Sequence, residues 1–307
     1  MNAESTFQWQ VIGQSVRGAA HQRAGTPNQD AIRWLPGCGA GSSLVLAVAD
    51  GHGSARYSRS HTGARLAVET STQLIQDFLA GQSDVNNLSL IKRAAEEWLP
   101  GALVRAWVEA VTEDVKANTL SEVELDVLRK KEGDAPPAAA DLTIAYGATI
   151  IAVAVTNAFV IYLQLGDGEI LTVTDQAQVS RPLTRDNRLF ANETTSLCAP
   201  DAWRDFRISF QAIAQARPAL ILLSTDGYPN SFRDEAGFLK VGSDILETIR
   251  AEGVAKVKDN LEEWLSDSTN AGSGDDVTLG ILCALGFGEE KPKSSAIQSH
   301  KTKSKKR

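Results

Sequence analysis

The sequence predicts an α+β fold in which antiparallel β-sheets are flanked by α-helices. Apolar residues at helical spacing come in two batches, one in the first 120 residues and one beyond residue 240. Between the batches lies a hairpin-rich block of short apolar runs, which argues against alternating βαβ units. Those runs are continuous rather than alternating, as in strands covered on both faces.

In chain order, 44–48 (LVLAV) is the first short apolar strand. Residues 57–79 carry Ala64, Val68, Ile75 and Phe78 among polar neighbours, a helical pattern, and 88–98 is a second helix. Pro100 then sits where a third helix would start, because its fixed φ and missing N–H suit a first turn. Beyond it Leu103, Trp107, Val111 and Val115 recur every four residues, giving one apolar stripe. The stretch 133–141 (GDAPPAAAD) reads as a loop. Residues 148–155 and 159–165 are strands joined by Thr156-Asn157-Ala158, a hairpin connection. Strands follow at 170–174, 220–223 and 277–283, with a last helix over 243–264. The tail 289–307 is Lys-rich without an apolar face, and its composition predicts an unstructured, solubilising terminus after a single domain spanning 1–288.

Composition narrows the function. The 307 residues carry 38 Asp+Glu against 31 Lys+Arg, a net charge of -7. An acidic chain is a poor general binder of nucleic acid, and a nuclease would need a cationic grip on the phosphate backbone. No apolar run approaches the roughly 20 residues of a membrane span, and the first residues lack the pattern of a signal peptide. Cys38, Cys198 and Cys283 have no CxxC spacing, which speaks against a disulfide framework or zinc cluster and for a reducing cytoplasm.

One pattern carries chemistry. Apolar strands run into Asp50-Gly51, Asp167-Gly168 and Asp226-Gly227, and Asp275-Asp276 immediately precedes the strand at 277–283. A carboxylate at the rim of a buried strand is costly unless solvated, paired or bound to metal. Several converging from different strands would form a hard-oxygen site for Mg²⁺ or Mn²⁺. A single Asp-Gly is more often a plain turn; four such rims together favour a site.

These residues resemble the type 2C family of metal-dependent serine/threonine protein phosphatases. ADGHGS at 49–54 is similar to the family's ADGHGG-type signature, LGDGEIL at 165–171 to its VGDSR-type segment, LLSTDGYPNSF at 222–232 to its SDGLWD-type segment, and GDDVTLGIL at 274–282 to its closing DN-(I/V)-T strand. NQDA at 28–31 resembles the opening NED segment, and all five occur in the family's order. The resemblance implies two antiparallel sheets face to face with helices outside, a four-layer αββα sandwich. It implies two divalent cations, Mg²⁺ or Mn²⁺, attacked-phosphate chemistry by a water between them, and a third, weaker cation position. By position Asp50 would bridge the pair, the Gly51 carbonyl would bind one ion, Asp226 and Asp275 would complete the set, and Asp167 would serve the third position. Asp276 stands where the family has Asn, so Asp275 and Asp276 are not apportioned by sequence. Asp30 would orient water, and His52 would protonate the leaving alkoxide as general acid. His61 reads as structural.

Two departures matter. Gln29 replaces the family's Glu, keeping an acceptor for water but no charge. The family's phosphate-gripping Arg has no direct match, and His21 or Arg23 could take its place. A polar stretch over 181–197 matches the region of the family's mobile flap. The implied partner is a phosphorylated protein opposing a serine/threonine kinase, with no nucleic acid, no membrane span and a monomeric chain. The departures leave a second reading open, a phosphatase-like module of weak or no activity that binds or regulates a partner.

Overall fold

The computed structural model describes residues 8–82, 87–132, 142–184, 194–214 and 216–285. Long apolar runs become the strands of two antiparallel sheets. The first six elements in sequence are β1 (Gln8–Val16), α1 (Ala19–Ala24), β2 (Ala31–Leu35), β3 (Ala40–Gly41), β4 (Leu44–Ala49) and α2 (Ser60–Ala80). Then come α3 (Leu88–Ala117), α4 (Glu122–Glu132), β5 (Ile150–Val155), β6 (Phe159–Leu165), β7 (Glu169–Val173), β8 (Val179–Ser180), β9 (Arg207–Ala212), β10 (Leu220–Ser224), α5 (Glu235–Glu252), α6 (Val254–Ala271) and β11 (Val277–Leu285). One sheet has the order β3-β1-β11-β10-β7-β8 and the other β2-β4-β5-β6-β9.

The continuous apolar strands are explained by what covers each face. In β4, Leu44, Leu46 and Val48 point into the layer between the sheets, with Trp9, Val11, Tyr162, Ile221, Leu223 and Leu282. The alternate residues Val45, Ala47 and Ala49 pack under α2 and α3, with Ile75, Leu99 and Trp107. On the far face of the other sheet, Leu222, Leu279 and Ile281 meet Phe238, Leu246, Leu261 and Leu265 of α5 and α6. Four layers result, helix–sheet–sheet–helix, as expected from the resemblance.

Three helical expectations differ from the structure. The helix expected over 57–79 starts at Ser60, after a short helical turn at Ala55–Tyr57. The two helices expected around Pro100 are one, α3, with Pro100 inside it. A proline there forfeits one backbone hydrogen bond and costs about 3 kcal/mol. The stripe Ile91, Ala95, Leu99, Leu103, Trp107 and Val111 runs through it in unbroken register and is buried throughout, which outweighs that cost. The helix expected over 243–264 is two helices, parted at Gly253, whose φ of 89° favours glycine. The loop at 133–141 and the tail 289–307 lie outside the described residues.

Candidate metal centre

The strand registers gather the aspartates. Val16 of β1 pairs with Val277 of β11, and Ser224 of β10 pairs with Leu279. In the other sheet Ala31 pairs with Ala49 and Ile150 with Leu165. The residues just outside these pairs, Gly18, Asp30, Asp50, Asp167, Asp226 and Asp275, therefore stand together at one end of the sandwich. Gly51 and Gly227 are forced by crowding. A Cβ on Gly51 would stand 2.6 Å from the Ser60 carbonyl oxygen, and one on Gly227 would stand 2.0 Å from that of Asp276.

Two of the carboxylates are well supplied with donors. Asp276 is only 3% exposed, and its oxygens accept from the Gly18 and Gln29 backbone N–H groups, each at 2.6 Å. His21 Nδ1 lies 2.9 Å from Asp276 Oδ2. Asp30 Oδ2 stands 2.7 Å from both Thr225 Oγ1 and Thr278 Oγ1, and the Asn28 side chain accepts from the Asp30 N–H at 3.0 Å. Burial nonetheless raises the Asp30 pKa well above the ordinary carboxylate range. The two threonine hydroxyls oppose that shift, and the charges of Asp276 and Asp226 add to it.

The other carboxylates face one another. Burial first, then the charges of Asp30 and Asp226, hold the Asp50 pKa well above its ordinary value, and its carboxyl lies within hydrogen-bonding reach of Asp226. Asp226 is pushed up to about 6 by burial and by the charges of Asp167 and Asp275. Asn230 Nδ2 donates to its Oδ2 at 3.1 Å. Asp275 is half exposed. Carboxylates this close repel one another when ionised, and hard divalent cations are the partners that would relieve them. The donor set, all carboxylate and carbonyl oxygen, fits Mg²⁺ or Mn²⁺.

His52 sits on the loop after Asp50. Its backbone N–H donates to the Gly147 carbonyl at 3.1 Å, and its ring meets Tyr57 edge-on at 4.7 Å. Burial lowers its pKa and the nearby Asp167 charge opposes that shift. His21 and Arg23 both ride on α1, which no periodic pattern announced. The His21 imidazole faces carboxylates on both sides, with Nε2 3.7 Å from Asp275 Oδ1, whereas Arg23 is exposed. His61 is exposed near the start of α2.

Gln29 was expected to face cation-bound water. Instead it is buried, 8% exposed, and its Nε2 donates to Ser60 Oγ at 2.6 Å and to the His52 carbonyl at 3.3 Å. A glutamate could not make these donations. Sequence reading also missed the threonines on Asp30 and the Arg59 clamp. Arg59 donates to Glu124 of α4 at 2.8 and 3.1 Å and to Tyr146 Oη at 3.0 Å, fastening the exit of the Asp50 loop to α4. The only sequence trace of the threonines is their place beside a motif Asp, Thr225 before Asp226 and Thr278 two residues beyond Asp276.

The family profile described as Protein phosphatase 2C matches residues 17–266 of the chain. No curated protein matches it in sequence. Among solved structures, the catalytic domain of the serine/threonine protein phosphatase PstP in complex with two manganese ions shares 18% identity, covering 92% of this chain and 100% of that one at a TM-score of 0.54. Serine/threonine phosphatase Stp1 from Staphylococcus aureus shares 14%, covering 90% and 94% at a TM-score of 0.57. PppA, described as a key regulatory component of the type VI secretion system in Pseudomonas aeruginosa, shares 17%, covering 90% and 97% at a TM-score of 0.55.

Proposed function

Because this chain belongs to the protein phosphatase 2C family, we propose that it hydrolyses phosphoserine and phosphothreonine in proteins with divalent cations held at the aspartate cluster. The observation that carries this reading is that the strand registers bring Asp50, Asp167, Asp226 and Asp275 from both sheets to one end of the sandwich, close enough for their neighbours' charges to raise Asp50 and Asp226. Asp50, Asp226, Asp275 and the Gly51 carbonyl would hold a pair of cations, and Asp167 a third. PstP, with its two manganese ions, supports that count. Bound there, such cations supply Lewis acidity, neutralising phosphoryl oxygens and making a water nucleophilic near neutral pH.

The chain's own groups do the rest. Asp30, steadied by Thr225 and Thr278, accepts a hydrogen bond from the attacking water and orients it. His52 donates a proton to the leaving serine or threonine oxygen, and Tyr57 and Gly147 fix its ring and backbone. Asp276 braces α1 and the Gln29 segment rather than binding a cation, since its oxygens already accept from two backbone amides. His21 is engaged with the same carboxylates, which favours Arg23 for gripping the phosphate.

A phosphorylated protein opposing a serine/threonine kinase fits this chemistry, as does a monomer in the cytoplasm; no described helix is long and apolar enough to cross a membrane. The test is hydrolysis of p-nitrophenyl phosphate and of a phosphothreonine peptide with Mn²⁺. Turnover of both that stops on adding chelator is expected. Absence of any chelator-sensitive turnover would overturn the reading and leave a phosphatase-like binding module.

A further inference from the structure

We infer that the turn at Trp203 and Arg204 is a docking point for the polypeptide of the substrate, a specificity element beside the aspartate cluster; the inference rests on the phosphatase reading. Trp203 is 47% exposed, although large apolar side chains are normally covered. The other exposed tryptophan, Trp98, stacks on Phe78 towards the far end of α2. Trp203 instead carries Arg204 over its ring, Cζ 5.1 Å from the centroid. That guanidinium is 64% exposed, with Asp201 as a loose partner at 3.6 Å, a surface pair that contributes little.

The turn is held firmly and aimed from the site. Asp201 adopts a left-handed conformation, φ 53°, which swings the chain outward. Ala202 is buried in the core under α3, so Trp203 beside it is left facing solvent. On the C-terminal side, β9 begins at Arg207, which pairs with Gln164. The Arg207 guanidinium donates to the Gly166 carbonyl at 3.1 Å, next to Asp167. On the N-terminal side, the Leu197 N–H donates to the Ala148 carbonyl at 2.9 Å, and Ala148 bridges Gly51. Both tethers therefore end on loops that carry the aspartates. Three residues lie between Trp203 and Arg207, so their Cα atoms are at most about 14 Å apart. The Arg207 side chain and Gly166 add to that span, so an extended substrate would reach the turn with a residue several positions from its phosphorylated side chain.

Tryptophan and arginine dominate the energetics of protein recognition when presented rigidly. Trp203 offers a flat apolar face, and Arg204 an exposed cation beside it. The matching segment has an apolar side chain for Trp203 and a carboxylate for Arg204.

The test compares a phosphothreonine peptide carrying Leu and Glu flanks with p-nitrophenyl phosphate, which is too small to reach the turn. In the full chain with Mn²⁺, Trp203→Ala should raise KM for the peptide about tenfold and change neither constant for the small ester. Trp203→Phe should restore most of the loss. Arg204→Ala should raise the peptide KM about threefold, an effect that vanishes when the peptide's Glu becomes Gln. Peptide constants unchanged in Trp203→Ala, or equal losses on both substrates, would overturn the inference while leaving the phosphatase reading intact. Wild-type protein inert towards both substrates would remove that reading, and this one with it.

Discussion

The carboxylates of the aspartate cluster fall into two groups by what faces them, a donor-filled floor and a mouth of facing carboxylates, and the two are built on opposite principles. On the floor, Asp276 and Asp30 are filled with donors: the Gly18 and Gln29 amides on one, the Thr225 and Thr278 hydroxyls on the other. At the mouth, Asp50 and Asp226 face each other, with Asp167 and Asp275 near them, and Asn230 donates to Asp226. A carboxylate with donors braces the segments that donate to it; carboxylates facing one another repel when ionised. Adjacent residues, Asp275 and Asp276, fall on either side of this division, one half exposed and one buried. On the phosphatase reading, the mouth would give up folding stability for affinity towards cations, and the floor would keep it in shape.

The sharpest break in this comparison is substitution at each level. Asp50→Asn should lower chelator-sensitive turnover by about a thousandfold or more, as expected when a cation ligand is removed. Its cation-free thermal stability should hold or rise, because a repelled charge has gone. Turnover near the wild-type rate would take Asp50 out of the site. Asp276→Ala should behave in the reverse sense. It strands two buried N–H donors, so the cation-free protein should lose about 2–4 kcal/mol in urea unfolding. Stability left unchanged would show that the floor needs no brace.

A smaller effect follows from protonation. Asp226 is raised to about 6 in the cation-free protein, and Asp30 and Asp50 are raised as well. A carboxyl whose folded pKa exceeds its unfolded value of about 4 stabilises the fold fully below that value. The contribution is lost as pH rises through the folded pKa. The cation-free melting temperature should thus receive a falling contribution from these carboxyls as pH rises, that of Asp226 being lost between about pH 4 and pH 6. The gain on adding Mn²⁺ should grow over the same window, because cations displace those protons. The measurement is the difference in melting temperature with Mn²⁺ and with chelator, in wild type and in Asp226→Asn. A difference that is flat with pH, or equally steep in the variant, would contradict the assignment of Asp226 to the mouth.

The carboxylates of both groups were legible in the sequence, and the donors that fill the floor were not. Asp50, Asp167, Asp226 and the Asp275–Asp276 pair stand at strand ends, and the sandwich follows from apolar strands whose two faces are both buried. Helix α1, AAHQRA, is six residues with no stripe to read, yet it carries His21. Helix α4 is largely polar, EVELDVLRKKE, and its link to the Asp50 loop rests on Arg59 and Glu124, 65 positions apart. Pro100 shows the same limit from the other side. Local propensity ends a helix there, and burial of a stripe spanning α3 continues it. That Asp276 rather than Asp275 is filled with backbone donors depends on Gly18 and Gln29, some 250 residues away, and no local pattern encodes that.

The finest test lies at Gln29, where the two regions touch. Its backbone belongs to the floor, donating to Asp276 at 2.6 Å. Its side chain supports the mouth, donating to Ser60 Oγ at 2.6 Å and the His52 carbonyl at 3.3 Å. Gln29→Glu, the change towards the family's usual residue, exchanges two donated hydrogen bonds for a charge beside the cations. If the floor and mouth are distinct, the two properties should move in opposite directions. Cation-free stability should fall by about 1 kcal/mol, since the His52 carbonyl loses its donor. Mn²⁺ affinity, measured by calorimetry, should rise a few-fold from the added charge. A fall in both would mean that the amide shapes the mouth as well as supporting it, and the division between the two regions would have to be redrawn at this residue.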